Sequence, residues 1–302
     1  MELSALNDQF AIPGVLRFEE ARGLVRAEIS SPDAAATVYL QGAHITHWQP
    51  AGEAPVLFLS RKSDFVLGRP IRGGVPISFP WFATDSKADR FEGKPGPSHG
   101  FARIQPWNVA FVAFLGGDVH LTLNLGPTPL SRKMGFGQFR LAYQITVGRS
   151  LRLQLTVAND AEMPLVFEEA LHTYFAVGDV HEVSLTGLES TLFIDKTDNM
   201  LPKPAANVPL TFAGPTDRVY ANTAAPCMIH DRLWRRCLTN RKKNSNTTVV
   251  FNPGCAMPDL GPEEWPGMLC VETANAGPNT ITLDPRSAHT MQTTITVGEE
   301  RA

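Results

Sequence analysis

Val119, Leu121, Leu123 and Leu125 alternate with His120, Thr122 and Asn124. A period of two predicts a strand with one apolar and one polar face. The same alternation returns at Phe139, Leu141, Tyr143, Ile145 and Val147, set against Arg140, Ala142, Gln144 and Thr146. It resumes after Gly148-Arg149-Ser150 as Leu151, Leu153, Leu155 and Val157. Two such runs across a short glycine-containing connection predict a β-hairpin. Thr290 to Val297, rich in β-branched residues, predicts a further strand. Sustained helical periodicity is hard to find. Half-polar strands of this kind pack as antiparallel sheets laid face to face. The expected fold is all-β, a large antiparallel β-sandwich. No low-complexity linker or internal repeat divides the chain, so residues 1–302 are expected to form a single domain. Asp198 to Pro215, carrying Pro202, Pro204, Pro209 and Pro215, predicts a long irregular loop of the sort that borders a site.

Composition narrows the function classes. With 24 Gly and 24 Pro scattered through the chain, turns are frequent and long helices disfavoured. Hydrophobic residues at 43% against 19% charged give an ordinary globular balance. A net charge of −3 is too weak to steer nucleic acid or an anionic membrane, so neither is an expected partner. The one basic run, Arg241-Lys242-Lys243, is expected in a solvated loop. Cys227, Cys237, Cys255 and Cys270 show no C-x-x-C spacing, which removes the common zinc and thioredoxin-like motifs and favours free thiols. No signal-peptide pattern or run of about 18 apolar residues is present, so a cytoplasmic protein, expected to be monomeric, is the reading.

Candidate chemistry comes from a few polar residues inside apolar runs. In Phe167-Glu168-Glu169-Ala170-Leu171-His172-Thr173-Tyr174-Phe175, strand parity puts Phe167, Leu171 and Phe175 on one face. Glu168, His172 and Tyr174 share the other. His172 is either a general acid–base group or a hydrogen-bonded structural residue. Glu272, in Leu269-Cys270-Val271-Glu272, is either a working carboxylate or part of an exposed edge strand, because burying it without a partner is costly. Arg72 lies in Ile71-Arg72-Gly73-Gly74-Val75-Pro76, where paired glycines allow close approach of a ligand to backbone. Ser98-His99-Gly100-Phe101-Ala102-Arg103 is a second turn with an arginine. His44 and His47 would point to opposite faces of a strand, so no metal is expected there. Neither a G-x-S-x-G elbow nor a nucleotide-binding glycine motif occurs, and no cofactor is expected. Trp81 and Trp265 are the tryptophans expected to stack on a sugar face.

Taken in order, Ile71–Pro76, His99–Arg103, Leu171–Phe175, Thr216-Asp217-Arg218-Val219-Tyr220 and Cys270-Val271-Glu272 resemble the aldose 1-epimerase superfamily, in its glucose-6-phosphate 1-epimerase branch. The likeness runs from about Val38 to the C-terminal strands. It implies a galactose-mutarotase-like supersandwich that interconverts the α and β anomers of a hexose 6-phosphate without metal or cofactor. It also implies His172 as general acid, Glu272 as general base and Asp217 as a sugar-binding residue. Arg72 and Arg103 would hold the phosphate or adjoining hydroxyls, with His99 beside them. Ser98 departs from the branch, whose members commonly carry Gln there. An epimerase of unphosphorylated sugars, or a non-catalytic carbohydrate-binding protein on the same scaffold, remains open at this point.

Overall fold

Alternating burial carries the sequence pattern into three dimensions. In the computed structural model, which describes residues 2–84 and 96–300, the strand Asp118–Leu125 buries Val119, Leu121, Leu123 and Leu125. Strands Phe139–Val147 and Ser150–Asn159 pair antiparallel, with Val147 opposite Leu151 across the Gly148-Arg149-Ser150 turn. The C-terminal strand is longer than its β-branched run predicts and spans Ala288–Glu299. It lies between Arg236–Lys243 and Ser150–Asn159. These elements belong to a nine-stranded sheet with Asn108–Leu115 at one edge and Leu210–Thr211 at the other.

An eight-stranded sheet packs against it, running from Leu201–Pro204 through Leu192–Asp195, Thr216–Ala221 and Thr247–Asn252 to Met268–Asn275. Beyond that central strand come Glu169–Leu171 and Ile77–Ser78, while Tyr174–Ala176 also pairs with Met268–Asn275. One apolar cluster joins the two sheets, with Leu121, Tyr143 and Ile295 from the first and Leu171, Phe175, Val250 and Val271 from the second. Each fully buried Leu or Phe contributes about 1.5–3 kcal/mol relative to exposure. The rigidity of the site rests on this layer.

Four local expectations are corrected. Asp198 to Pro215 is not wholly irregular, because Leu201–Pro204 and Leu210–Thr211 are strands. Both lie at sheet edges, where proline's missing N–H leaves no ladder bond unmade. The run 241–243 ends the strand Arg236–Lys243 instead of forming a loop. There the Lys242 ammonium donates to Thr247 O at 2.9 Å and Thr248 Oγ1 at 2.6 Å, and burial pulls its pKa down to about 8. A helix, Leu3–Phe10, was too short to show in the periodicity; it buries Leu6 and packs Leu3 and Phe10 on the core.

The fourth correction bears on the site. Phe167–Phe175 is not one continuous strand but three pieces, Leu165–Phe167, Glu169–Leu171 and Tyr174–Ala176. The chain changes partner at Glu168, leaving the strand Ile281–Leu283 for Met268–Asn275, while Phe167, Leu171 and Phe175 all enter one core as their spacing predicts. Glu168 does not line the cleft beside His172. Its carboxylate accepts from Phe82 N at 2.8 Å and Gly277 N at 2.7 Å. No helix among the described residues is long and apolar enough to cross a membrane.

Candidate active site

Met268–Asn275 is buried at every position, which removes the edge-strand reading of Glu272. Strand register then assembles a polar row on an apolar sheet. Tyr174, Cys270, Phe251 and Asp217 stand opposite one another across four neighbouring strands. One step along, Glu272 stands opposite Val249. Because Leu171 pairs with Thr273 and Tyr174 with Cys270, His172 falls opposite Glu272. Directly opposed residues are the closest cross-strand neighbours, and His172 Nε2 lies 3.3 Å from Glu272 Oε1. The imidazole is held flat on the Tyr174 ring, with centroids 4.8 Å apart and planes 9° from parallel. A tight turn in which Thr173 N donates to Leu171 O at 2.9 Å kinks the backbone at His172.

Burial governs the protonation of this pair. Glu272 is 1% exposed and His172 7%. Burial, then the neighbouring Asp217 carboxylate, hold Glu272 well above the usual carboxylate range. Burial, then His99 and the Arg103 and Arg72 charges, hold His172 well below the usual imidazole value. Both shifts favour the uncharged forms. A single proton shared by the pair is therefore held by the carboxyl in preference to the imidazole. His172 Nδ1 and Glu272 Oε2 have no hydrogen-bond partner among the described residues.

Loops bring the remaining groups over this row. His99 sits in a turn at φ 60°, followed by Gly100 at φ 76°. Its Nδ1 accepts from Ala83 N at 3.3 Å and lies 3.2 Å from Ser78 Oγ. With Nδ1 serving as an acceptor, Nε2 carries the proton. Burial, reinforced by Arg103, Lys196 and Arg72, lowers its pKa to about 3, so His99 is a neutral donor. Its ring meets that of His172 edge-on at 5.3 Å.

Three cations converge on the same cleft and differ in their partners. Arg72 Nε is 2.9 Å from Asp259 Oδ2, and its Nη1 donates to Tyr174 OH at 2.9 Å. Lys196 Nζ is 3.0 Å from Asp217 Oδ2. Arg103 donates through Nη2 to the Ser98 carbonyl at 2.7 Å. It pairs with no carboxylate among the described residues, and its Nε is buried without a partner. Burial, aided by the Arg72 charge, draws its pKa down to about 10.

The cleft has a volume of about 230 Å³, and Arg72, His99, Arg103, His172, Asp217 and Glu272 all line it. All six residues singled out from the sequence therefore share one wall-to-wall site. The two tryptophans do not. Trp81 is 6% exposed, bonds Pro97 O through Nε1 at 2.9 Å and packs on Phe101 and Phe136. Trp265 meets His181 edge-on at 5.5 Å. The cleft aromatics are Phe82, Tyr174 and Phe251. Lys196 and Asp259 carried no signal in the sequence, since each acquires a role only from a partner distant along the chain. Tyr174 was legible, two residues on from His172. His44 is buried, with Nε2 2.7 Å from Gly73 O and a pKa pulled by burial to about 4, so it supports the turn carrying Arg72.

Residues 26–296 match the family model for aldose 1-epimerase. A protein of Escherichia coli (strain K12), provisionally named as a glucose-6-phosphate 1-epimerase, is 34% identical over 268 residues covering 87% of each chain. A protein of Cenchrus ciliaris with the same provisional name is 30% identical over 269 residues, covering 83% of this chain and 77% of the relative. Among solved structures, a provisionally named mutarotase from Salmonella typhimurium, YeaD, superposes with a TM-score of 0.88 at 31% identity over 96% of both chains.

Proposed function

The chain belongs to the aldose 1-epimerase family, and from that premise we propose that it interconverts the α and β anomers of a hexose 6-phosphate, using His172 and Glu272 as the proton-transfer pair. Anomer exchange opens the hemiacetal, rotates about C1–C2 and closes on the other face. Opening removes a proton from O1 and delivers one to O5. Both oxygens are bonded to C1, so the acid and the base that serve them must themselves be neighbours.

The contact between His172 Nε2 and Glu272 Oε1, at 3.3 Å, is the observation that carries this reading. A pair holding a single proton supplies one donor and one acceptor together. With that proton on the imidazole, His172 protonates O5 while Glu272 takes the O1 proton, and closure reverses the two roles. His99 Nε2–H and the Lys196–Asp217 pair are then placed to hold sugar hydroxyls.

The phosphate falls to Arg103. Arg72 already has Asp259 and Lys196 has Asp217, whereas Arg103 has only a backbone carbonyl among the described residues. A dianion there would restore the charge that burial has weakened, with Arg72 completing a forked grip. The test is anomer exchange followed by NMR on glucose 6-phosphate and on glucose. The phosphorylated sugar is expected to exchange much faster at equal concentration. Faster turnover of the free sugar would overturn the substrate assignment.

A further inference from the structure

His230, Cys237 and Glu300 lie far from the cleft in sequence and on the other sheet. His230 and Cys237 stand opposite each other in neighbouring strands, and Cys237 stands opposite Gly298, two residues before Glu300. Their neighbours Ile229 and Leu238 are fully buried, so strand parity puts His230 and Cys237 on the outward face. The imidazole nitrogen, the thiol sulfur and a carboxylate oxygen all lie within 4.8 Å of one another. We propose that these three side chains form a zinc site, with His230 Nδ1, Cys237 Sγ and the Glu300 carboxylate as ligands and a fourth position open to water.

The geometry suits a small tetrahedral cation. His230 Nδ1 is 3.2 Å from Glu300 Oε1. Neighbouring vertices of a tetrahedron with metal–ligand bonds of about 2.0–2.1 Å lie roughly 3.3 Å apart. Thr186 Oγ1 is 3.1 Å from His230 Nε2. With Nε2–H donating to that hydroxyl, Nδ1 keeps its lone pair, which is how a second partner orients an imidazole ligand. The donor set of one thiolate, one imidazole and one carboxylate suits zinc better than calcium or magnesium, which prefer oxygen.

Space is available as well. A surface hollow of about 600 Å³ is lined by Met228, His230, Cys237, Thr239 and Gly298, and the missing side chain at Gly298 leaves its floor open. Bound metal would tie the end of the last strand to the hairpin 227–243.

The test uses the full chain after chelator dialysis, titrated with Co²⁺ and back-titrated with Zn²⁺. One equivalent of Co²⁺ is expected to produce a near-ultraviolet thiolate-to-metal absorption that Zn²⁺ removes. Cys237→Ser should abolish that absorption, Cys255→Ser should leave it unchanged, and His230→Gln should weaken binding at least tenfold, with glucose 6-phosphate anomer exchange retained throughout. Zinc-edge X-ray absorption of the wild-type protein should show one sulfur ligand, a reading that needs no variant to fold. A wild-type complex without thiolate absorption, an absorption that survives Cys237→Ser, undiminished binding by His230→Gln, or a sulfur-free zinc shell would each overturn the proposal.

Discussion

His172, in the short break between Glu169–Leu171 and Tyr174–Ala176, stands opposite Glu272 of Met268–Asn275, 100 positions along the chain, with Nε2 and Oε1 separated by 3.3 Å. The strand pairs on either side, Leu171 with Thr273 and Tyr174 with Cys270, fix that opposition. The contact is thus built into the sheet and does not depend on a flexible loop.

If the two act as one unit, His172→Asn and Glu272→Gln should each slow anomer exchange by about 10²–10⁴-fold. The double variant should be no worse than the slower single one, because removing either partner disables the pair. NMR exchange rates measure this, with near-ultraviolet circular dichroism confirming a native fold. Additive losses would mean that the residues act independently.

The pH dependence follows from the opposite shifts. His172 is held below the usual imidazole value and Glu272 above the usual carboxylate value. As pH falls past the depressed value, the pair takes a second proton and loses its acceptor. As pH rises past the raised value, it loses its only proton and with it the donor. The rate should hold a plateau between those two values, with an acid limb below pH 6.5, the ordinary imidazole value, and an alkaline limb well above the ordinary carboxylate value of 4.5. The two limbs report the pair as a whole. An acid limb centred on the value of an unperturbed histidine, about 6.5, would contradict this protonation scheme.

Arg103→Ala should raise KM for glucose 6-phosphate about ten- to a hundredfold, the range of ~1.5–3 kcal/mol for hydrogen bonds to a charged group. Residual turnover of unphosphorylated glucose should be little changed. Arg72→Lys keeps the charge but loses the fork that reaches both Asp259 and Tyr174, so an intermediate loss is expected. Steady-state kinetics on both sugars separate these effects. Equal losses on the two sugars would remove Arg103 from the phosphate.

Gly100 cannot accept a side chain. Its φ is 76°, and a Cβ there would lie 2.0 Å from Phe79 O. Gly100→Ala should cost at least about 2 kcal/mol, combining a left-handed strain with a backbone clash. It should also slow exchange by displacing His99. At Gly14, φ is 74° but a Cβ would meet nothing within 4 Å, so alanine there should cost about 1 kcal/mol. Thermal melts compare the two variants, and equal Tm values would refute the steric account.

Much of this was legible in the sequence, and the limits are physical. Alternation at Val119–Leu125 and Phe139–Val157 announces strands because one face is dry and the other wet. It says nothing about Met268–Asn275, which is buried on both faces and therefore hides the Glu272 carboxylate in an apolar run. The partner change at Glu168 leaves no mark in periodicity, since a break in pairing need not interrupt hydrophobicity. His172 and Glu272 emerged from the order of motifs, not from local pattern. Lys196 and Asp259 were silent, and Trp81 and Trp265 misled, because an aromatic ring fills a core as readily as it lines a cleft.

The division of labour between strands and connections has an evolutionary consequence. The proposed proton-transfer pair is set by strand register, Glu272 within Met268–Asn275 and His172 in the two-residue break between Leu171 and Tyr174, both paired to that strand, so one inserted residue would turn either group to the opposite side. Arg72, Arg103, Lys196 and Asp259 all lie outside regular strands, where lengths drift freely. Descendants of this chain could therefore trade one sugar for another by remodelling the rim while inheriting the reaction itself intact.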